Sequence, residues 1–283
     1  DYLSFYIAAT AKLTGLARSG DVIVAKTDPP LISIAAGWVA RMRGARLVNW
    51  LQDLFPEVAA NLGMAPARGP GARLLRRLRD VSLRRAAANV VLGRLMRERV
   101  VALGVDPQKI AVIPNWADGA LLRPVERGAN PLRAEWQLGD KFVVGYSGNL
   151  GRVHEFRTVL DTADALRAQA DIAFLFIGGG AQKAELAKAA GERRLSNVLF
   201  KPYQLRETLE RSLSAADVHL VTLRPALEGL VVPSKFYGIA AAGRPTIFIG
   251  DPEGEIGAIV RDAECGECVK QGDVDGLVGA ITT

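Results

Sequence analysis

Cysteine and histidine are nearly missing from this sequence: two of each occur in 283 residues, and aromatics make up 6%. A structural zinc site takes about four ligands. Cys265-Gly266-Glu267-Cys268 offers one C-x-x-C pair with no second pair to complete it, so it reads as structural or incidental and no metal is expected. Two cysteines build no disulfide framework, which makes a reducing, cytoplasmic setting the expectation. No signal-peptide pattern and no membrane-length apolar run occurs; the richest run, Leu31 to Val39, is bounded by Pro29-Pro30 and Arg41. Hydrolase chemistry of the G-x-S-x-G kind lacks its nucleophile, and no phosphate loop G-x-x-x-x-G-K-[ST] is found. Gly148-Asn149-Leu150-Gly151 does not fit the dinucleotide spacing G-x-G-x-x-G. Nucleic acid is not an expected partner, because positive charge is local and aromatics are few.

An opening methionine is also lacking. Tyr2 to Leu16 reads as a helix leading to a strand at Val22, whereas an α/β domain opens with a strand and a glycine-rich turn. The chain is therefore expected to begin inside a domain whose first βα units are missing. Thr283 falls inside a helical pattern.

What is present is alternation. The chain is 49% hydrophobic and 23% charged, a globular profile, and it is long enough for two cores. Strands are predicted at Asp21–Ala25, Arg46–Trp50, Asn89–Leu92 and Lys109–Ile113, with helices between them. Continuous apolar strands between helices imply a parallel sheet covered on both faces. Turn formers then gather from Asp118 to Asp140, after which strands recur at Phe142–Ser147, Ile172–Ile177, Val198–Phe200 and Val218–Thr222. Two Rossmann-like α/β domains follow, at 1–122 and 123–283, with a ligand expected where the strand C-terminal ends face a cleft.

The candidate chemistry lies in the loops leaving the later strands. Glu228-Gly229-Leu230-Val231-Val232-Pro233-Ser234-Lys235 reads as a loop carrying one carboxylate, then a helix opened by Pro233 and Ser234 and stopped at Gly243-Arg244-Pro245. A Ser234 hydroxyl can cap that helix, and the free N–H groups with Lys235 beside them suit a phosphate. The glycines of Gly148-Asn149-Leu150-Gly151 let backbone approach a ligand, with Arg152 and His154 able to face phosphate oxygens. Gly178 and Gly179 do the same after the next strand, and Tyr203 can frame a base. Asp273 reads as a helix cap, and His219, inside an apolar strand, as a core residue.

A net charge of +6 is concentrated between Arg68 and Arg85, where seven arginines alternate with leucines and a valine. That pattern is a basic amphipathic helix, expected either to pack as a surface helix or to touch an anionic membrane surface.

Gly145-Tyr146-Ser147-Gly148-Asn149-Leu150-Gly151, Ala215-Ala216-Asp217-Val218-His219-Leu220, the Glu228–Lys235 stretch and Ala241-Ala242-Gly243-Arg244-Pro245 together resemble glycosyltransferase family 4, in its bacterial O-antigen, capsule and exopolysaccharide branch. Gln52-Asp53-Leu54-Phe55-Pro56-Glu57 is similar to a turn of that branch's N-terminal domain. The resemblance implies a GT-B fold with an N-terminal acceptor domain and a C-terminal nucleotide-sugar domain. It further implies transfer with retention, without a metal or other cofactor. Glu228 matches the family's first glutamate near the donor, while the second falls at Gly238. Asn149 and His154 stand where many relatives carry an arginine and a lysine on the pyrophosphate, so Arg152 and Lys235 are expected to supply that charge. Asp53 lies at the cleft-facing acceptor turn, with Gln52 at the place of a common histidine. Glu228, Lys235 and Asp53 are thus the expected catalytic residues. The expected function is sugar transfer from a nucleotide diphosphate sugar, UDP favoured, to a lipid-linked or polysaccharide acceptor, in the cytoplasm with peripheral contact at the inner membrane. A UDP-sugar 2-epimerase and a non-catalytic sugar-nucleotide-binding subunit are the alternatives.

Overall fold

A computed structural model describes residues 2–64 and 69–283. Contacts divide the chain into two compact units, one formed by Asp1–Pro114 with Ala226–Val232 and the other by Asn115–Pro225 with Pro233–Thr283. The division thus falls eight residues before the expected 122/123. Residues 115–130 belong to the second unit because Val125 N–H donates to Ser214 Oγ and Arg244 donates to the Val125 carbonyl.

The first unit runs α1 (Tyr2–Leu16), β1 (Val22–Lys26), α2 (Ile32–Arg43), β2 (Arg46–Trp50), α3 (Glu57–Asn61), α4 (Pro70–Arg85), β3 (Ala88–Val91), α5 (Arg94–Ala102) and β4 (Ile110–Val112). Its four strands among the described residues are parallel and lie in chain order. Ile23, Ala25, Ala36, Val39, Leu47 and Ala86 form one core cluster. Coverage of both faces was expected, but β1 alternates: Ile23 and Ala25 are buried while Val22 and Val24 remain exposed. A strand packed on one side only shows that period of two. The basic segment forms α4 with Pro70 in its first turn; Arg68 lies outside the described residues, as does Asp1. Arg79 is buried, paired to Glu57 at 2.7 Å and Asp80 at 2.8 Å, and half-buried Arg76 reaches the same Glu57 at 4.0 Å, while Leu74, Leu75 and Leu78 stay exposed.

The second unit contains α6 (Pro131–Glu135), β5 (Phe142–Asn149), α7 (Arg157–Ala165), β6 (Ile172–Gly179), α8 (Lys183–Glu192), β7 (Val198–Lys201), α9 (Leu209–Ser214), β8 (Val218–Thr222), α10 (Lys235–Ala241), β9 (Thr246–Ile249), α11 (Glu255–Asp262), β10 (Gly266–Val269) and α12 (Val274–Thr282). Its parallel sheet has the order β10-β9-β8-β5-β6-β7. Here β8 and β9 are buried throughout and β6 nearly so, as continuous apolar strands between two helical layers should be. Asp217 pins the start of this sheet, accepting from Val143 N–H at 2.7 Å and pairing with Arg133 at 3.2 Å.

The strand order reverses between β5 and β8, and that reversal positions the site. The two strands pair only at Val144–Val218 and Gly145–His219, while β5 continues beside β6 as far as Asn149 and Gly179. Gly145 is obligatory at the shared end, since a Cβ there would lie 2.5 Å from the Ala216 Cβ. Beyond it β5 and β8 separate, opening the crevice at strand C-terminal ends where α/β sheets take ligands.

Candidate functional site at the strand reversal of the second unit

The loop leaving β5 is shaped by glycine. Gly148 has φ 123° and Gly178, its partner across the β5–β6 ladder, has φ 136°; a Cβ on Gly178 would meet the Gly148 carbonyl oxygen at 2.1 Å. Only glycine permits that approach. Leu150 N–H donates to Gly179 O at 2.7 Å, and the Gln182 side chain donates to Gly151 O at 2.6 Å, so the loop is tied to the start of α8. Asn149 and Arg152 are exposed on it. Tyr203 lies over the same strand ends, its hydroxyl donating to Gly179 O at 3.2 Å.

Lys235 opens α10 and turns its amine into the crevice. The amine sits 3.6 Å from the centroid of the Tyr146 ring, hydrogen-bonds the Tyr146 hydroxyl and lies 3.4 Å from His154 Nε2. A cation over an aromatic face gains about 2 kcal/mol when desolvated. Burial nevertheless holds its pKa well below the ordinary 10.5. The same burial pushes the Tyr146 phenol well above its ordinary value.

His154 is buried rather than directed outward. Its Nδ1 lies 2.6 Å from the Thr222 carbonyl at the end of β8, and its pKa falls to about 3. Burial is the first cause, followed by the positive charge of Lys235. His219 is the core residue its strand implied: Nε2 faces Leu213 O at 2.8 Å and burial lowers its pKa to about 4. Asp273 caps α12 through Gly276 N–H at 2.9 Å, and Gly243, at φ 64°, stops the chain after α10. Ser234 departs from expectation. It occupies the N-cap of α10 in a helical conformation (φ −63°, ψ −21°), and its exposed hydroxyl makes no capping bond. Pro233 beside it is buried.

Glu228 and Asp53 both belong to the first unit. Glu228 is buried, and Arg99 donates to its backbone carbonyl at 3.3 Å. Gly229 follows at φ 73°, where a Cβ would lie 3.1 Å from Leu95 O. Leu54 N–H then donates to Leu230 O at 2.9 Å, and Asp53 bridges Val231. The structure therefore brings the Glu228 segment against the Gln52–Glu57 turn. Burial raises the Asp53 pKa, with the Asp28 carboxylate adding to it.

Within the second unit, Lys235, His154, Gly148 and Asn149 gather as one group, and Gly178, Gly179 and Tyr203 border it. Sequence reasoning missed two members, Tyr146 and Thr222. Tyr146 carried a signal, a polar-tipped ring inside an otherwise apolar buried strand, whereas Thr222 contributes a backbone carbonyl that no pattern exposes. Cys265 and Cys268 are free thiols beside and within β10.

The family sequence profile described as "Glycosyl transferases group 1" matches residues 141–283, and that described as "Glycosyl transferase 4-like domain" matches residues 2–116. The chain belongs to the group 1 glycosyltransferases. Similar proteins include the probable glycosyltransferase WbjE of Pseudomonas aeruginosa, 32% identical over 91% of this chain and 64% of that one. The putative colanic acid biosynthesis glycosyl transferase WcaI of Escherichia coli (strain K12) is 30% identical over 86% of this chain and 61% of its own. The chain thus spans under two thirds of the length of these relatives. Among solved structures, Anabaena Alr3699/HepE in complex with UDP superposes with a TM-score of 0.76 at 15% identity, covering 96% of this chain and 71% of that one. WaaG, a glycosyltransferase involved in lipopolysaccharide biosynthesis, gives 0.61 at 15%, covering 88% and 72%. The fold of this group 1 member is GT-B, two parallel α/β units of Rossmann type.

Proposed function

We propose that this protein is a retaining glycosyltransferase of bacterial cell-surface glycan synthesis, moving a hexosyl or N-acetylhexosaminyl residue from a UDP-sugar to a lipid-linked or polysaccharide acceptor. The observation that carries this reading is the Lys235 amine, held over Tyr146 where β5 and β8 separate. A buried amine beside a glycine loop suits a diphosphate, since transfer leaves charge on the leaving phosphate and a preorganised cation stabilises it. That the HepE structure holds UDP on the same fold, and that WbjE and WcaI carry glycosyltransferase names, support the choice of donor and of process.

In this reading Lys235 and Arg152 meet the diphosphate, so no metal is required. The backbone of Gly148, Asn149 and Gly151 lies along it, Gly178, Gly179 and Tyr203 frame the base, and Pro233-Ser234 sets the start of α10. Glu228 orients the sugar and Asp53 serves the acceptor side. Retention follows front-face attack assisted by the leaving phosphate. Incubation with UDP-sugars and a polyprenyl-linked acceptor tests the proposal. The expected product is a lipid-linked glycoside of the donor's anomeric configuration by NMR, formed equally in EDTA. An inverted product, a free epimer or strict metal dependence contradicts it.

We also propose peripheral membrane contact through the described part of Arg68–Arg85. Exposed Leu74, Leu75 and Leu78 share α4 with exposed Arg73, Arg77, Arg84 and Arg85. Beside them a groove of about 690 Å³ between α2 and α4 is lined by Trp38, Arg41, Arg46 and Lys109. Among the described residues no helix is long and apolar enough to cross a membrane. Co-sedimentation with anionic but not zwitterionic vesicles is the expected result; equal recovery with both contradicts the contact.

A further inference from the structure

The tautomer of His154 follows from its neighbours. The Thr222 carbonyl, 2.6 Å from Nδ1, can only accept, so Nδ1 carries the proton and Nε2 is left as an acceptor. That acceptor faces the Lys235 amine at 3.4 Å. The Tyr146 hydroxyl is fixed in the same manner: its proton goes to the Asn149 carbonyl at 2.8 Å, leaving its lone pairs for Lys235. We propose that Tyr146 and His154 are positioning residues that hold the Lys235 amine for the donor diphosphate, and that His154 does not itself touch the donor.

The set joins three separate pieces of chain: the end of β8 through Thr222, the end of β5 and the loop after it through Tyr146, Asn149 and His154, and the first residue of α10. Its chemistry suits an amine that must bind an anion. A carboxylate partner would neutralise Lys235 and compete with phosphate, whereas a phenol, a neutral imidazole and an aromatic face orient the amine without cancelling its charge. Gly148 keeps one side uncovered, since a Cβ there would lie 3.8 Å from Nζ. This account rests on the donor site proposed above, and it departs from the expectation that His154 contacts phosphate.

Calorimetric titration of UDP into the whole chain separates the two. Lys235→Ala provides the reference and should weaken binding. His154→Gln, able to donate at one end and accept at the other, should stay near wild type, while His154→Leu should bind about tenfold more weakly through the lost acceptor. His154→Lys should bind no better than His154→Leu, because a second cation repels the first. His154→Leu in the Lys235→Ala background should add under about twofold, as effects of coupled residues do not sum. Tighter binding by His154→Lys, or full multiplication in the double variant, overturns the positioning role and makes His154 a donor contact. If His154→Lys does not fold, a loss in His154→Leu that His154→Gln fails to restore overturns it instead. Unchanged binding by Lys235→Ala overturns the donor-site reading and this inference with it.

Discussion

Lys235 and Tyr146 stand 89 positions apart, yet the amine of one lies 3.6 Å from the ring centroid of the other. The contact forms where the sheet of the second unit reverses its strand order, and it places a cation with uncharged partners beside a loop whose glycines bring backbone close. In the protein alone this is an unfavourable home for an ammonium; the donor diphosphate proposed for this site would make it a favourable one.

Removing the charge should therefore stabilise the protein while disabling it. Because burial lowers the Lys235 pKa, the folded state binds its proton less readily than the unfolded chain does, so the residue contributes least to stability near neutral pH and below. Lys235→Met should raise the unfolding free energy by about 1 kcal/mol while weakening UDP binding. Urea denaturation checks it; a loss of stability would mean the ammonium is satisfied in the free protein.

Two buried histidines set an acid limit. The folded values of about 3 for His154 and about 4 for His219 lie below the ordinary 6.5, so below that pH the unfolded chain takes up protons that the folded one refuses. Stability present above pH 6.5 should fall by about 1.4 kcal/mol per pH unit for each histidine, until the folded values are reached. Lys235 and Arg224 face His154, and Arg244 and Lys235 act on His219, so the positive surroundings reinforce the direction. Urea midpoints at pH 7, 6 and 5 should decline, and His154→Gln should lessen the slope. A flat profile contradicts the buried neutral state.

Gly178→Ala should be severely destabilising. Its methyl would lie 2.1 Å from the Gly148 carbonyl at a φ of 136°, and rigid backbone on both strands leaves little room to move. A loss of about 3 kcal/mol or more is expected from strain and clash together. A thermal midpoint within a few degrees of wild type would show that β5 and β6 do not end as described.

Much of this architecture is legible in the chain because buried parallel strands are predominantly apolar, as in Ile172–Gly179 and Val218–Thr222, and because glycine punctuates strand ends. Asp273 and His219 were readable for the same reason, being answers to local requirements. β10 was not: three of its four residues are exposed or half-buried, so its place at the sheet edge leaves no hydrophobic signature. Nor was the assignment of residues 226–232 to the first unit, which depends on Leu230 meeting Leu54 and Gly229 meeting Leu95. The inward turn of His154 escaped for a related reason. Its partner is a carbonyl 68 positions away, and sequence spacing shows no carbonyls.

Glu228→Gln separates binding from turnover. With the residue buried in the first unit, its substitution should leave UDP affinity within about twofold while lowering kcat about a hundredfold, as loss of one preorganised group at a reacting centre does. Steady-state kinetics beside UDP titration reads both. A large loss of UDP affinity would make Glu228 a nucleotide contact instead.

Calorimetric titration of UDP, in EDTA, into the wild-type protein and Lys235→Ala decides whether Lys235 holds the donor. Saturable one-site binding that the substitution weakens by a factor on the order of ten to a hundred is the predicted result, the range expected for a charge-assisted contact. Equal affinity for the two folded proteins, or no binding until a divalent cation is added, would contradict a donor site built on Lys235.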